Sequence, residues 1–369
     1  MFEFRRLLPI GFLALTALCA TGATPPRFTG EQSCASSSCH GGGKGKDEFQ
    51  LFSKKDIHNH AHQVLANNRS TRIGESLGIT DVTKDARCTV CHSPQQSLAL
   101  ERFAAGAKPA QGVSCESCHG AAENWLRFHT RLDITHDQRV GAGLREVKSL
   151  YARSNVCVAC HLNIDQQLVT AGHPELMFEM DGQTRAEPPH WKEETDPFLG
   201  PRTWLVGQAS DLREISWKLT NAPNDDLAAR WRASRWLLKQ IPAASSLPAD
   251  QLTDYRATQS SADRLARSVG KQPWTKDSTL ASLKKLSALG AEFRDPAVPA
   301  AEQRRRAELL VPAIDRHWQA RKTAGLTSPT LETALTAAAT ETKAQAAFKP
   351  DRFAAALEQV EVAMELLPK

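Results

Sequence analysis

Apolar positions follow different patterns in the two halves of the chain. From about residue 203 onward they recur at helical spacing: Phe353, Leu357, Val360 and Met364 lie at i, i+4, i+7 and i+11. A second stripe contains Leu227, Trp231, Leu238 and Ile241. Proline and glycine interrupt the pattern at several points. It therefore predicts five to seven helices, packed as a bundle in residues 201–369.

Residues 24–200 carry a weaker pattern with many loop signals, such as the glycine-rich stretch 41–45. Residues 56–69 have apolar positions at helical spacing, which predicts a helix there. These positions are Ile57, Ala61, Val64 and Leu65. His58 and His62 are one turn apart and would share one face of this helix. The whole chain is predicted to be mainly α, with little regular sheet.

The first 23 residues have the parts of a signal peptide. Arg5 and Arg6 form a positive start, residues 7–20 are apolar but short for a membrane span, and small residues precede Thr24. A retained N-terminal anchor is the alternative. No later stretch is long and apolar enough to span a bilayer. The sequence therefore predicts an exported protein, periplasmic or extracellular, with domains at 24–200 and 201–369.

Eight of the nine cysteines fall into four runs that each end in histidine, and the ninth, Cys19, lies in the predicted signal peptide. Three runs have the form Cys-x-x-Cys-His, and the first has four residues between its cysteines. The runs are Cys34, Cys39 and His40; Cys88, Cys91 and His92; Cys115, Cys118 and His119; and Cys157, Cys160 and His161.

Cys-x-x-Cys-His is the attachment signature of a c-type haem. The two thiols add to the two vinyl groups of one porphyrin, and the adjacent histidine ligates the iron. Disulfides or tetrahedral zinc sites are the alternatives, but neither needs a histidine after every second cysteine. For the first run, the alternative is a small disulfide loop between Cys34 and Cys39. We expect four haems c, with His40, His92, His119 and His161 as proximal ligands.

The second axial ligands are expected to be histidines, because too few methionines follow the signal peptide to serve four haems. Eight histidines lie outside the four runs. The distal candidates are His58, His129 and His173, with His136 as a further possibility. His60 and His62 are better explained as solvent or propionate partners, and His317 as structural. Ligation by two histidines predicts lower potentials than histidine–methionine ligation.

Charge argues against a nucleic-acid partner. Residues 24–200 carry 19 lysines and arginines against 21 acidic residues, and residues 201–369 carry 25 against 19. The basic residues are dispersed, and no nucleic-acid-binding motif is present. The mildly basic second half is explained either as a solvated helical surface or as a docking face for an acidic partner.

The order of these features resembles the cytochrome c-554 group of multihaem cytochromes over roughly residues 30–192. The shared features are four haem runs, a histidine-bearing helix after the first, a tryptophan-containing segment ending in His129 after the third, and the Ala-Gly-His-Pro turn at residues 171–174 after the fourth.

The resemblance implies a mainly helical fold around closely packed haem pairs, with electron transfer as the activity. It also implies crossed ligation: His129 to the haem of His40, His58 to that of His119, and His173 to that of His161. The second haem, at His92, would then lack a protein sixth ligand unless His136 fills it. The long C-terminal helical region is not part of the small type member of the group.

Three functions are compatible with these sequence features. The leading hypothesis is an electron carrier between redox partner proteins, because no acid/base pair or nucleophile triad is visible. The alternative is a haem enzyme acting on a small nitrogen or oxygen species at a five-coordinate second haem. The lesser alternative is a subunit of a cytochrome filament, which would need a histidine from a neighbouring chain.

Overall fold

A computed structural model describes residues 24–162, 164–192, 195–244, 254–343 and 348–367. The prediction of a mainly α chain is confirmed: within these ranges the regular elements are helices, and the one β contact is an isolated bridge between Phe28 and Phe103. The predicted signal peptide of residues 1–23, with Cys19, lies outside the described residues. None of the helices described here is both long enough and apolar enough to cross a membrane.

Short helices joined by loops make up the first half of the chain. The α-helices are α1 (Glu48–Lys55), α2 (Asn68–Leu77), α3 (Ala86–His92), α4 (Cys115–His119), α5 (His136–Gly141), α6 (Leu150–His161), α7 (Gln166–Thr170) and α8 (Met180–Ala186). The 3-10 turns are Glu31–Ser33, Ala61–Ala66, Pro94–Ser97, Leu100–Arg102 and Phe128–Thr130.

Longer helices build the second half. They are α9 (Leu199–Asn221), α10 (Asp225–Gln240), α11 (Tyr255–Val269), α12 (Lys276–Ser287), α13 (Ala300–Thr323), α14 (Pro329–Lys343) and α15 (Pro350–Glu365). Two 3-10 turns, Pro242–Ala244 and Gly290–Arg294, connect them. These seven α-helices agree with the five to seven expected from the periodicity.

Helix α9 lies at the centre of the bundle and packs against α8, α10, α11 and α13. The predicted stripes face the core: Phe353, Leu357 and Val360 are completely buried. Large aromatic side chains, including Trp204 and Trp318, fill the centre. Burial of such apolar surface provides the main driving force for folding, so most of the apolar core lies in the second half.

The first half has much less apolar core. In the described chain before Leu150, the cluster of buried apolar side chains in mutual contact comprises Leu65, Val82 and Cys88, with Ile79 against it. Other apolar side chains there, such as Phe52, Phe103 and Trp125, are buried outside that cluster. Helix α6, which carries the fourth run, instead packs on α9, and its Leu150 and Val158 join the core of the second half. The first half therefore consists of short helices and loops with little apolar core of their own.

The predicted single helix over residues 56–69 is wrong. The chain forms the 3-10 turn Ala61–Ala66 and then begins α2 at Asn68, because Asn67 adopts an extended backbone and its side chain caps Ser70 N–H. Ile57 and Val64 of the predicted stripe are exposed, and Leu65 is buried. The apolar residues at these positions therefore do not form one continuous buried face of a helix.

Candidate functional site

Three of the four runs lie on helices. The second forms most of α3, the third is α4, and the fourth ends α6. On a helix, residues three and four apart share one face, so both thiols and the histidine of a run point to the same side. Polar caps begin the helices: Asp85 accepts from Arg87 N–H, and Ser114 and Ser117 form a capping box. The first run, with its longer spacer, forms a turn instead.

Glu116 ties the first run to the third. Although it is 1% exposed, its carboxylate accepts hydrogen bonds from three backbone N–H groups. Those of Thr29 and Gly30 lie at 2.9 and 2.8 Å, and that of Ala122 lies at 2.7 Å. A buried carboxylate needs such partners. The spacer of the third run therefore holds the chain that leads into the first.

Thiols of different runs are in contact. Cys115 donates a hydrogen bond that lowers the pKa of Cys34 to about 7, and the shared bond raises the pKa of Cys115. Cys91 and Cys160 form a second such pair, in which the pKa of Cys91 is lowered and that of Cys160 is raised. The first run therefore adjoins the third, and the second adjoins the fourth.

The third and fourth runs are also near each other. Burial raises the pKa of Cys118 to about 11 and that of Cys157 to about 12, and the nearby charge of Cys118 adds to the second shift. Cys118 belongs to the third run and Cys157 to the fourth, so the third and fourth runs lie between the first and the second.

Three of the run histidines each face a histidine from elsewhere in the chain. Ring centroids are 6.3 Å apart for His40 and His129, 6.1 Å for His58 and His161, and 6.3 Å for His92 and His173. The first pair is nearly parallel, at 8°, and the other two are steeply inclined.

The pair spacing fits an iron between the rings. Imidazole nitrogen binds a transition metal at about 2.0–2.1 Å, so two histidines on opposite sides of one metal have ring centroids roughly 6 Å apart. All three pairs have this separation. Of the two alternatives to haem, a disulfide framework does not need paired imidazoles, and a tetrahedral zinc site needs thiolates directed at one point.

Hydrogen bonds at Nδ1 orient most of these rings. Acceptors lie 2.9–3.2 Å from Nδ1 of five histidines: Glu48 for His40, Asp56 for His58, and the backbone carbonyls of Ala61 for His92, Trp125 for His129 and Pro174 for His173. A proton on Nδ1 leaves the Nε2 lone pair free for a metal. At His161, the Gln183 amide lies 3.5 Å from Nδ1.

His58 is held most firmly of the distal candidates. Asp56, 1% exposed, accepts from both the backbone N–H and the Nδ1 of His58, each at 2.9 Å. Burial alone would raise the pKa of Asp56, but these bonds lower it below its usual value, and they raise the pKa of His58. Gly112 (φ +143°) lies against the Asn59 carbonyl, where a Cβ would come within 2.2 Å.

Glu187 supplies a second carboxylate beside His58. Its carboxylate and that of Asp56 lie within 4.8 Å of a ring nitrogen of His58 and of each other. Burial raises the pKa of Glu187. The sequence analysis assigned no role to Asp56 or Glu187. Asp56 could have been found from its position two residues before a histidine, which is typical of an Asx turn; nothing near Glu187 in the sequence marks it.

His119 differs from the other three run histidines. In the part of the chain that is described, no imidazole ring stacks against it at the pair distance. Burial lowers the pKa of His119 to about 4, and the nearby charges of His190, His40 and His129 add to this effect. His190 packs edge-on against Phe52 and Trp191. Sequence reasoning passed over His190, because no spacing rule links it to the third run.

The pairs differ in part from those implied by the resemblance. His129 faces His40, as expected, whereas His58 faces His161 rather than His119, and His173 faces His92 rather than His161. The reason is geometric: the turn at Gly172 (φ +106°) and the bond from His173 N–H to the Leu168 carbonyl direct the loop toward the second run.

The structure does not pair His136 with the second run. Its Nε2, the atom that would bind iron, contacts the Glu146 carboxylate instead. His62 likewise directs Nε2 to the Thr83 carbonyl, at 3.0 Å. His317 is completely buried between Trp204 and Trp274, with Nδ1 bonded to the Ala313 carbonyl, which fits the structural role expected for it.

The helical fold and the geometry of the runs are consistent with a c-type cytochrome. Residues 33–120, about a quarter of the chain, match the family model described as cytochrome c554 and c-prime, and this match supports a c-type cytochrome family. The match includes the first three runs and ends just after His119, so the fourth run lies beyond it. No curated protein and no solved structure matches the chain. The match supports covalently bound haem c and electron transfer.

Proposed function

We propose that the chain is an exported tetrahaem cytochrome that transfers electrons between redox partner proteins. When bound, the haem supplies reversible one-electron chemistry; the protein supplies attachment, ligation and spacing. The attachment residues in this proposal are Cys34, Cys39, Cys88, Cys91, Cys115, Cys118, Cys157 and Cys160. The proximal ligands are His40, His92, His119 and His161, and the distal ligands are His129, His173 and His58.

The observation that carries the proposal is the common spacing of three imidazole pairs, at 6.1–6.3 Å between ring centroids. The orientation of five of these rings by Nδ1 hydrogen bonds adds support, because it leaves Nε2 for iron. The first, second and fourth haems are then ligated by two histidines each. Their potentials are low compared with histidine–methionine ligation.

Contacts between the runs support a continuous electron path. Cys34 adjoins Cys115, and Cys91 adjoins Cys160. Cys118 and Cys157 interact between these pairs. With a haem attached at each run, this arrangement would allow electrons to pass in the order first, third, fourth, second, or the reverse. The small apolar core of this half supports the same arrangement, because porphyrins would supply the missing apolar interior.

A second candidate function uses the third haem. Since no imidazole pairs with His119 among the described residues, its iron would keep an open position, which metal catalysis on a small ligand requires. The resemblance to the cytochrome c-554 group implied this vacancy at His92, but the contact of His92 with His173 argues for the third haem instead. The electron carrier remains the leading function, because carriers can also have an open iron.

Export and domain division are also part of the proposal. Haem attachment takes place outside the cytoplasm, which supports the interpretation of residues 1–23 as a signal peptide. The bundle in residues 201–369 is proposed as a haem-free domain beside the haem domain of residues 24–200. The core that joins α6 to α9 supports a close association between the two.

Pyridine haemochrome analysis and carbon monoxide titration of the reduced protein test the proposal together. We expect four haems per chain and one carbon monoxide bound tightly per chain. Fewer than four haems would show that a run is not an attachment site. Four haems with no carbon monoxide binding would mean that a ligand fills the third haem as well, and the enzyme alternative would be wrong.

A further inference from the structure

The loop between α7 and α8 carries His173 and is attached to the haem-free bundle. Two residues after His173, Glu175 lies 3.2 Å from Arg305 on α13 and 3.9 Å from Arg230 on α10. Arg230 also approaches the Leu176 carbonyl, at 3.5 Å. The two guanidinium groups from the bundle therefore converge on one short stretch of the haem domain.

Both arginines are buried, although Glu175 is partly exposed. Arg230 forms an ion pair with the buried Asp211 at 2.5 Å. Arg305 forms ion pairs with Asp226 at 2.6 Å and with Glu308 at 3.1 Å. Buried cations need such partners, because an unpaired buried charge is strongly destabilising. Each arginine thus keeps a carboxylate of the bundle even when Glu175 is removed.

The far end of the loop has a second attachment. Glu179 caps α8 and pairs with Arg316 of α13 at 3.1 Å. Helix α8 then places Gln183 next to His161. Gly207 of α9 lets α8 approach closely, since a Cβ there would meet that of Met180 at 2.6 Å. Both ends of the segment that carries His173 are therefore held by the bundle.

We propose that Glu175 is a positioning residue: its ion pairs with Arg305 and Arg230 hold His173 on the iron of the second haem. The inference rests on the proposed function, because it takes His173 as a haem ligand. It gives the haem-free bundle a role in electron transfer. The bundle fixes the axial ligand of the haem at the end of the electron path.

Carbon monoxide would compete with His173 for the second iron, so its binding measures how firmly His173 is held there. Carbon monoxide reaches the second iron only in molecules in which His173 has left, so its apparent affinity there follows the open fraction. Loss of a partly exposed ion pair costs up to about 1 kcal/mol, which raises the open fraction roughly fivefold. The open third haem takes the first equivalent, so the second equivalent reports on His173.

The test uses the full haem-loaded protein with Glu175→Gln and Glu175→Lys. Glutamine removes the charge and keeps the shape, and lysine adds repulsion against both arginines. Glu341→Gln is the matched control, because it breaks an exposed ion pair with Arg352, at 2.7 Å, away from the loop. His173→Ala marks the fully open second haem. Haem content and the melting temperature verify that each variant folds.

We expect the second equivalent of carbon monoxide to bind about fivefold more tightly in Glu175→Gln than in the wild type, and more tightly still in Glu175→Lys. Its affinity should be unchanged in Glu341→Gln. If His173→Ala frees a second site but both Glu175 variants behave as the wild type, the positioning role is wrong and the ligand role of His173 stands. If His173→Ala frees no site, His173 is not a ligand, and this inference fails together with that part of the proposed function.

Discussion

The ring of His173 lies 6.3 Å from that of His92, with Nδ1 of His92 bonded to the Ala61 carbonyl and Nδ1 of His173 to that of Pro174. Both Nε2 atoms are therefore available to one iron. This pairing of His92 with His173 changes which haem is expected to lack a second histidine ligand. The resemblance to the cytochrome c-554 group placed the vacancy at the second haem, and the contact moves it to the third.

Replacing His173 by alanine should open the second haem. We expect one iron per chain to change from low to high spin and the tight carbon monoxide stoichiometry to rise from one to two, because no other imidazole faces His92 in the described chain. EPR of the oxidised form and carbon monoxide titration of the reduced form measure the two effects. His136→Ala is the control; a spin change there with none in His173→Ala would show that His136, not His173, is the ligand.

Replacing Asp56 by asparagine should raise the potential of the fourth haem. The carboxylate, 1% exposed, accepts from His58 Nδ1 and makes this ligand more electron-rich, which stabilises ferric iron. Loss of a charged hydrogen bond costs about 1.5 kcal/mol, or about 60 mV for a one-electron couple. Redox titration should show one potential shifted upward. Asp133→Asn is the control, because Asp133 pairs only with Arg131 in an exposed ion pair among the described residues; no shift relative to it would contradict the ligand role of His58.

Replacing Glu116 by glutamine should destabilise the junction of the first and third runs. Both carboxylate oxygens accept backbone N–H bonds, and the amide would direct an NH₂ donor at one of these donors. We expect a loss of about 2–3 kcal/mol in the free energy of unfolding, measured with denaturant. Glu123→Gln, which alters the more exposed pair with Arg27, should cost much less. Equal effects would contradict the structural role given to Glu116.

His317 should make the protein less stable in acid. Burial lowers its folded pKa to about 4, below the unfolded value of about 6.5, so the unfolded chain binds more protons between these values. Stability from the neutral ring is therefore complete above about pH 6.5 and is lost progressively as the pH falls toward 4. The melting temperature of His317→Phe should fall less from pH 7 to pH 4.5 than that of the wild type; parallel curves would contradict this assignment.

The sequence was sufficient for features that depend on local spacing. The helical stripe from Phe353 to Met364 predicted α15, and the cysteine spacing located the four runs. Such patterns involve residues within one or two helical turns of each other, so they can be recognised without knowledge of tertiary contacts. The helix predicted over residues 56–69 failed because the Asn67 cap ended the first turn, which apolar periodicity does not reveal.

Ligand pairing could not be predicted in the same way. His58 is nearer in sequence to His92 than to His161, yet it faces His161. Long-range contacts lie beside two of the paired histidines: Gly112 packs against the Asn59 carbonyl next to His58, and Glu175, two residues after His173, pairs with Arg305. His136 follows the third run closely in sequence, but its Nε2 is engaged by Glu146. Proximity along the chain is a poor guide where the interior is organised by several long-range contacts.

The most direct test of the central claim is a crystal structure of the haem-loaded protein with the iron atoms located by anomalous scattering. We predict four irons per chain. Three should lie midway between His40 and His129, His92 and His173, and His161 and His58, and the fourth should have His119 as its only histidine ligand. An iron that joins His58 to His119, or His173 to His161, would contradict the account and restore the vacancy to the second haem.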